Sequence, residues 1–466
     1  MENASTVRAT TVRTTPAETG TTASGYAWYV VILLTACYTL SYIDRQILSL
    51  LVGPIKRDLG ISDTRVGLLQ GLAFSLFYTF MGLPLGRIAD TRSRRNLIGG
   101  SVLVWSFFSG ACSLARSFWT LILARIGVGV GEAGLSPAAY SMIADVFPKA
   151  GLGVAISVFY MGVFLGSSLA LLLGGTTVDA VSHMSSITLP LLGTMAPWRI
   201  TFLIAAVPGI PFALIIYTLR EPLRRGALQA GGASSKLSAR ETLQEVGIRW
   251  TSVAGISLGM ACQAICNYGF MAWAPTFFAR THHWTPGQTG RALGLIIATF
   301  GCLGMFAGGW LSDHWLKKGM PDAPLRVAIP SAIATLILFP LAFLSHSATV
   351  TLALICPGLF FLAWPMGSAV AALQMIFPNQ VRGQVSAFYL FCLNLGGLTL
   401  GPLMPGVLND YVFHSEMAIG KSIAITIAGG AVLMLIAFAT TQSPYRRHYR
   451  MLHPDQVSDH QINSPR

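Results

Sequence analysis

Apolar stretches long enough to cross the hydrocarbon core of a bilayer, about 20 residues each, recur along the whole chain, and they restrict its fold more than any other feature. Hydropathy marks about twelve of them. Backbone groups in lipid must satisfy one another within the segment, which selects helices. Gly and Pro fall inside the stretches, as membrane helices tolerate. A mean hydropathy of +0.61 and 11% charged residues agree. By length alone, 466 residues would have suggested about three soluble domains. The expected class is instead an all-α integral membrane protein, multi-pass, with twelve transmembrane helices.

A formal charge of +13 could point to nucleic acid, but its distribution points elsewhere. With the amino terminus taken as cytoplasmic and the sides alternating, most of the 31 Lys and Arg fall on the cytoplasmic side. That is the positive-inside pattern. The basic balance therefore reports topology, with both termini cytoplasmic and no nucleic-acid partner. Anionic lipid headgroups are a secondary partner for that face. Residues 1–25, rich in Thr and Ala, lack an apolar signal core and read as a disordered cytoplasmic tail.

The seven cysteines all lie in apolar runs, and the nine His are assigned to loops or tails. Cys262 and Cys266 sit one helical turn apart with no further ligand type nearby, so no metal and no cofactor are expected. Gly127, Gly129 and Gly131 resemble a phosphate loop only in spacing. They lie mid-membrane with no strand before them and no Lys-Ser/Thr after them. No nucleophile with its base and no acid pair at a wet surface argues for an enzyme.

Helices are expected near Ala27–Leu51, Val66–Ile88, Leu97–Leu114, Trp119–Ile143, Gly151–Thr176 and Trp198–Leu219, then near Thr251–Phe278, Gln288–Leu311, Ala328–Leu344, Thr349–Ile376, Gly383–Leu408 and Ala418–Thr440. The second of these ends in Gly86-Arg87-Ile88-Ala89-Asp90, followed by Arg92, Arg94 and Arg95. An acid followed by several Arg at a helix end is a gating latch, in which Asp90 accepts from a neighbouring helix start and the Arg pair with acids elsewhere; Asp145, after the fourth helix, is grouped with the latch. Gly86 would let helices approach. The layout returns at Gly309 through Asp313 to Lys317 and Lys318. A second echo pairs Asp145-Val146-Phe147-Pro148 with Ile376-Phe377-Pro378, each after an even-numbered helix. Two six-helix bundles in one orientation follow, a parallel repeat. The divisions are 26–219 and 250–441, with a cytoplasmic linker at 220–249 and a tail at 442–466.

Two buried ion clusters stand out: Asp44 with Arg45 in the first helix, Arg125 with Glu132 in the fourth. A charge at bilayer depth costs about 2.5 to 3.5 kcal/mol even on the gentler insertion scale, so such residues demand pairing or wet surroundings. Arg125 and Glu132 share a face but lie about 10.5 Å apart along the axis, so each should meet a partner on another helix. The plain reading is static glue between the two helices. The functional reading makes the acids proton acceptors governed by the nearby Arg, with Asp44 the titrating group and Glu132 held in a structural pair by close packing at its glycines. No charge of comparable depth occurs in the second half. There Asn267, Tyr268, Phe270, Met271, Trp273, Trp364, Gln374 and Asn394, with Tyr42 of the first half, are candidates to line a cavity for an apolar or amphipathic substrate.

The Gly86–Arg95 loop and its echo resemble the signature loop of the major facilitator superfamily, with Ser93 and Thr91 departing from its usual residues. The Gly-Pro motif typical of drug antiporters in the fifth helix is absent. More narrowly, Tyr42-Ile43-Asp44-Arg45, Ile61 through Gln70, and Arg125 through Glu132 with Asp145-Val146-Phe147 are similar to the spinster family of lipid transporters. The resemblance implies a proton-linked carrier of lysophospholipids or sphingoid phosphates in a bacterial inner membrane, a monomer working by alternating access, with Asp44, Arg45, Arg125 and Glu132 at the coupling and substrate site. A proton-linked carrier of small organic anions, and a non-transporting membrane sensor or lipid-binding protein, are the alternatives.

Overall fold

The computed structural model describes residues 24–148, 151–182, 187–189, 193–222, 239–377 and 379–452. Most of the expected tail 1–25, the Gly-Ala-Ser part of the linker, Pro378 and the chain beyond 452 lie outside the described residues.

The spans in order are α1 (Gly25–Leu50), α2 (Asp63–Thr91), α3 (Arg94–Cys112), α4 (Phe118–Val146), α5 (Leu152–Val181), α6 (Pro197–Ile216), α7 (Trp250–Thr281), α8 (Pro286–Lys317), α9 (Ala323–Leu344), α10 (Ala348–Met375), α11 (Gln384–Phe413) and α12 (Glu416–Leu452). All but α3 are long and apolar enough to cross a membrane by length and composition. Its interior carries Ser101, Ser106 and Ser109, all buried, which lower its hydropathy while they pack against neighbours. The expected twelve-helix architecture is therefore present, with ends that differ in places. α12 continues through 442–452, which the sequence reading gave to a tail. A short helix at Val52–Leu59 closes on Gly60, whose φ of 60° suits a residue without Cβ. Ser62 then caps α2 by accepting from the Arg65 amide. A two-stranded antiparallel hairpin, Ile187–Leu189 with Gly193–Met195, adds a minor β element between α5 and α6.

Within the first bundle α1 lies along α5, and α4 packs on α2 and α3; within the second, α12 packs on α7 and α9. Lipid offers no hydrophobic drive for helix association, so close backbone approach matters. Across the interface α5 meets α8 and α2 meets α11. A Cβ on Gly290 would stand 2.0 Å from the Leu171 carbonyl oxygen, and one on Gly71 would stand 2.8 Å from those of Leu398 and Thr399. Both crossings therefore depend on the missing side chain. Each lies in the membrane half away from Gly25 and Leu452, here called the far half; the opposite one is the terminal half. The terminal parts of α4 and α10 pack within their own bundles.

Candidate functional site

The four charged residues converge in the first bundle, in a pairing that sequence spacing left open. Arg45 reaches from α1 to Glu132 on α4, with Nη2 2.5 Å and Nε 2.6 Å from Oε2. Ser41, one turn before Arg45, donates to the same oxygen at 2.5 Å. Asp44 points the other way, where its Oδ1 accepts from Ser109 of α3 at 2.9 Å. Arg125 meets the backbone carbonyl of Asp44 at 3.5 Å rather than its carboxylate. Asp44, Arg125 and Glu132 are at most 2% exposed, whereas the Arg45 side chain is 11% exposed. Arg45 is thus the least buried member of the cluster.

The glycine series explains how Glu132 comes so close. A Cβ on Gly129 would lie 2.6 Å from the Phe74 carbonyl oxygen, and one on Gly131 would lie 2.5 Å from the Trp105 amide. α4 is thereby pressed onto α2 and α3, as expected from the sequence. Atoms of the cluster remain without hydrogen-bond partners among the described residues: Asp44 Oδ2, Glu132 Oε1 and Arg125 Nε. Buried polar atoms are usually satisfied, so three orphans side by side mark a site with unused bonding capacity.

Sequence reasoning named Tyr42 but missed the other rings around Arg45. Its guanidinium stands 4.4 Å from the Phe74 ring centroid, 4.7 Å from Tyr78 and 4.8 Å from Tyr42, within cation–π range. Phe74 and Tyr78 are one turn apart on α2 and stack at 5.3 Å. Next to Tyr42, buried Tyr38 stacks on buried Phe159 at 4.6 Å, and half-buried Tyr140 meets Phe159 and exposed Tyr160. Their helical spacing beside a buried Arg was the available signal.

The expected second-half cavity candidates divide. Phe270 and Trp273 are fully buried; Phe270 packs on Phe339 and Phe343, and the Trp273 indole donates to the Pro402 carbonyl at 2.7 Å. They are core, because hydropathy does not distinguish a lining ring from a packed one. Tyr268 crosses the interface to pack in the cluster that contains Tyr42. The Met271 carbonyl accepts from Gln46 at 2.8 Å. Asn267, Trp364 and Asn394 are half-buried and Gln374 is exposed. The aromatic surface nearest the charges therefore belongs to the first bundle, contrary to expectation.

The latch residues also rearrange. Arg94, at the start of α3, is fully buried and pairs with Asp145 of α4 and, at 2.9 Å, with Glu221 after α6. It also donates to Ser141 Oγ at 2.9 Å and the Pro222 carbonyl at 2.8 Å. Burial alone would raise the Glu221 carboxyl, but the Arg95 amide, the Arg94 guanidinium and the Ser93 hydroxyl hold it below its ordinary range. Asp90 and Asp313 are exposed, with no hydrogen bond or ion pair among the described residues. Arg92 is exposed too. Gly86 and Gly309 face open space, so they mediate no close helix contact. His314 and His448, assigned to loops or tails, lie within α8 and α12, and buried His448 shares a 2.8 Å hydrogen bond with Ser252.

A second unanticipated network ties the bundles together in the far half. Asp63, fully buried at the start of α2, binds Lys56, accepts from Arg280 of α7 at 2.7 and 2.8 Å, and accepts from Asn409 of α11 at 2.8 Å. Glu416 joins Lys56 at 2.8 Å, and Asp410 accepts from the Thr64 amide at 2.7 Å. On the other crossing, Asp179 of α5 accepts from the Gly287 amide and the Thr285 hydroxyl, each at 2.9 Å. These residues sit near helix ends, where charge is ordinary, so nothing in their spacing marked them as a network.

Two apolar six-helix bundles, joined tightly in one membrane half and enclosing ionisable groups at mid-depth, define the class of a membrane carrier. The chain belongs to the Major Facilitator Superfamily, whose family profile matches residues 34–402. It is similar to a protein of Mycolicibacterium smegmatis described as an MFS-type efflux pump, 27% identical over 90% of this chain and 94% of the relative. A probable L-galactonate transporter of Escherichia coli is 26% identical over 89% and 90% of the two chains. The sphingosine-1-phosphate transporter SPNS2 of Danio rerio is 25% identical over 86% and 79%. Among solved structures, a bacterial homologue of the human lysosomal transporter spinster, in an inward-facing and unoccupied conformation, superposes with a TM-score of 0.71 at 27% identity, covering 92% of this chain and 98% of that one.

Proposed function

We propose that this transporter is proton-coupled and moves an amphipathic, lipid-like substrate of the lysophospholipid or sphingoid-phosphate type by alternating access. The supporting observation is the Arg45–Glu132 pair inside its aromatic surround. Arg45 is the least buried cation of the cluster, and a guanidinium binds phosphate through two parallel hydrogen bonds. When a substrate phosphate takes Arg45, Glu132 loses its counter-ion and must find a proton or another partner. Substrate and proton then compete for one arrangement, which couples them. Asp44, with one oxygen held by Ser109 and the other unpartnered, is the second proton acceptor and the group that sets pH dependence. Half-buried Tyr78 and Tyr140 offer an apolar face to the rest of an amphipathic molecule.

Both termini are assigned to the cytoplasm of a bacterial cell, with the protein acting as a monomer in the inner membrane. On that assignment the far-half network closes the outer side, and the site opens inward. The Arg94, Arg95 and Asp145 group, with Gly86, Asp90, Arg92 and Asp313, would act at the inner rim when that side closes.

The test is flux into proteoliposomes under an imposed proton gradient, with lysophosphatidylcholine, sphingosine phosphate and galactonate as cargoes. Uptake of the lipids that collapses in Asp44→Asn supports the reading. A second reading, a carrier of small organic anions, is favoured by the similarity to the L-galactonate transporter and by the equal suitability of Arg45 for carboxylate. Galactonate flux without lipid flux would establish it. Ligand binding with no flux under any gradient would instead indicate a sensor.

A further inference from the structure

The carboxyl end of α12 carries a feature unrelated to the central cluster. Ser443, Arg446, Arg447, Arg450 and Met451 line a cleft of about 540 Å³. The spacing places them on one helical face. That face continues the exposed apolar stripe of the same helix: Ile425, Val432, Leu433 and Ile436 are 41 to 53% exposed, followed by exposed Thr440, Ser443, Arg447 and Arg450. The stripe that meets acyl chains thus becomes basic without turning away from the lipid.

Distance along the helix gives the level. At 1.5 Å per residue, Ser443 stands about 4.5 Å and Arg447 about 10.5 Å beyond Thr440, while the headgroup layer is about 5 to 7 Å thick on each side. The long Arg stems can lean back along the helix and bring their guanidinium groups to phosphate depth. Among the described residues their charge is only partly compensated. Arg446 has a distant counter-ion in Asp322 at 3.7 Å, which Arg326 holds at 3.0 Å. Arg447 and Arg450 have no acidic partner among the described residues. Met451, 57% exposed, supplies an apolar edge beside them.

We propose that this cleft is a binding site for the phosphate headgroup of an anionic membrane phospholipid, held by Arg447 and Arg450 with Arg446 and the Ser443 hydroxyl. A lipid is favoured over a soluble phosphate because the cleft continues the lipid-facing stripe. The full-length protein, titrated in detergent with phosphatidylglycerol or with phosphatidylcholine, is read by native mass spectrometry. Phosphatidylglycerol is retained preferentially, and Arg447→Gln with Arg450→Gln lowers its retention on the order of tenfold to the level of phosphatidylcholine. The corresponding double Lys variant keeps most of the preference, and Lys421→Gln, at the far end of the same helix, keeps all of it. A thermal unfolding curve like that of the parent confirms that the Gln variant is folded. Unchanged phosphatidylglycerol retention in the Gln variant overturns the site. Displacement of the lipid by an equal excess of inorganic phosphate overturns its assignment to lipid.

Discussion

The two bundles repeat one helical plan and place their charges differently. In the first, Asp44, Arg45, Arg125 and Glu132 meet at mid-depth; in the second, the buried charges Arg249 and Asp322 sit at helix ends. The terminal rims differ in sign. Arg94 is the buried hub of the first and gathers acids, whereas Asp322 is the buried hub of the second and gathers Arg326 and Arg446. The comparison teaches that a repeat conserves helix packing more strictly than side-chain chemistry. One half carries the ionisable cluster at mid-depth, while among the described residues the other keeps its buried charges at helix ends.

The rims provide the largest expected contrast. Arg94→Ala strips the shared cation from Asp145 and Glu221, and breaking such a buried pair costs about 3 to 5 kcal/mol. Asp322→Asn leaves two Arg that are 40 and 42% exposed, and the loss should stay below about 1 kcal/mol. Thermal unfolding of the purified variants ranks them, and equal losses would break the contrast. At mid-depth, Glu132→Gln should lower proton-driven flux about 100-fold, as expected when one member of a buried pair is left alone, while Asn394→Ala in the second bundle should change it less than about twofold. Comparable losses would show the neutral half to be equally involved. Asp44→Asn should abolish the pH dependence of flux while the protein remains folded, and an unaltered pH profile would exclude Asp44 as the coupling group.

A smaller effect separates lining from core. Replacing half-buried Tyr78 by Ala removes one face of the cation–π surround, worth about 1 to 2 kcal/mol, and should weaken substrate binding about tenfold with a smaller change in unfolding. Phe270→Ala should do the reverse, because it empties a core position; titration of substrate-induced fluorescence alongside unfolding distinguishes them. Smallest is the acid response of the first rim. Glu221 is held below its ordinary carboxyl range, so its stabilisation is fully present above that range and fades as pH falls through the folded value. With a side chain 31% exposed, screening limits this to less than about 1 kcal/mol. Glu221→Gln should flatten the decline in unfolding temperature below about pH 4.5, and an equally steep decline would assign the response to other carboxylates.

Much of the fold was legible because lipid enforces it: a charge or an unpaired amide within an apolar run is costly enough to leave a mark in sequence. Asp44, Arg45, Arg125 and Glu132 were visible for that reason. Their partners Ser41, Ser109, Phe74 and Tyr78 were not, since neutral residues in a membrane helix carry no such penalty. Phe270 and Trp273 read as lining because composition does not record which way a ring points. The end of α12 read as tail because its Arg and Tyr lower hydropathy without weakening the helix. Asp63, Arg280 and Asn409 came from three distant stretches, and only the folded chain brings them together.

The placement of Asp63 has a kinetic consequence. One carboxylate receives groups from α7, α11 and the segment before α2, so under the proposed alternating access, parting the bundles on that side requires several bonds to break in a single event. Whatever the cargo, the barrier to that separation is set by residues that do not touch the Arg45 site. Turnover and affinity would therefore respond to different substitutions, the first at Asp63 and its partners and the second at Arg45.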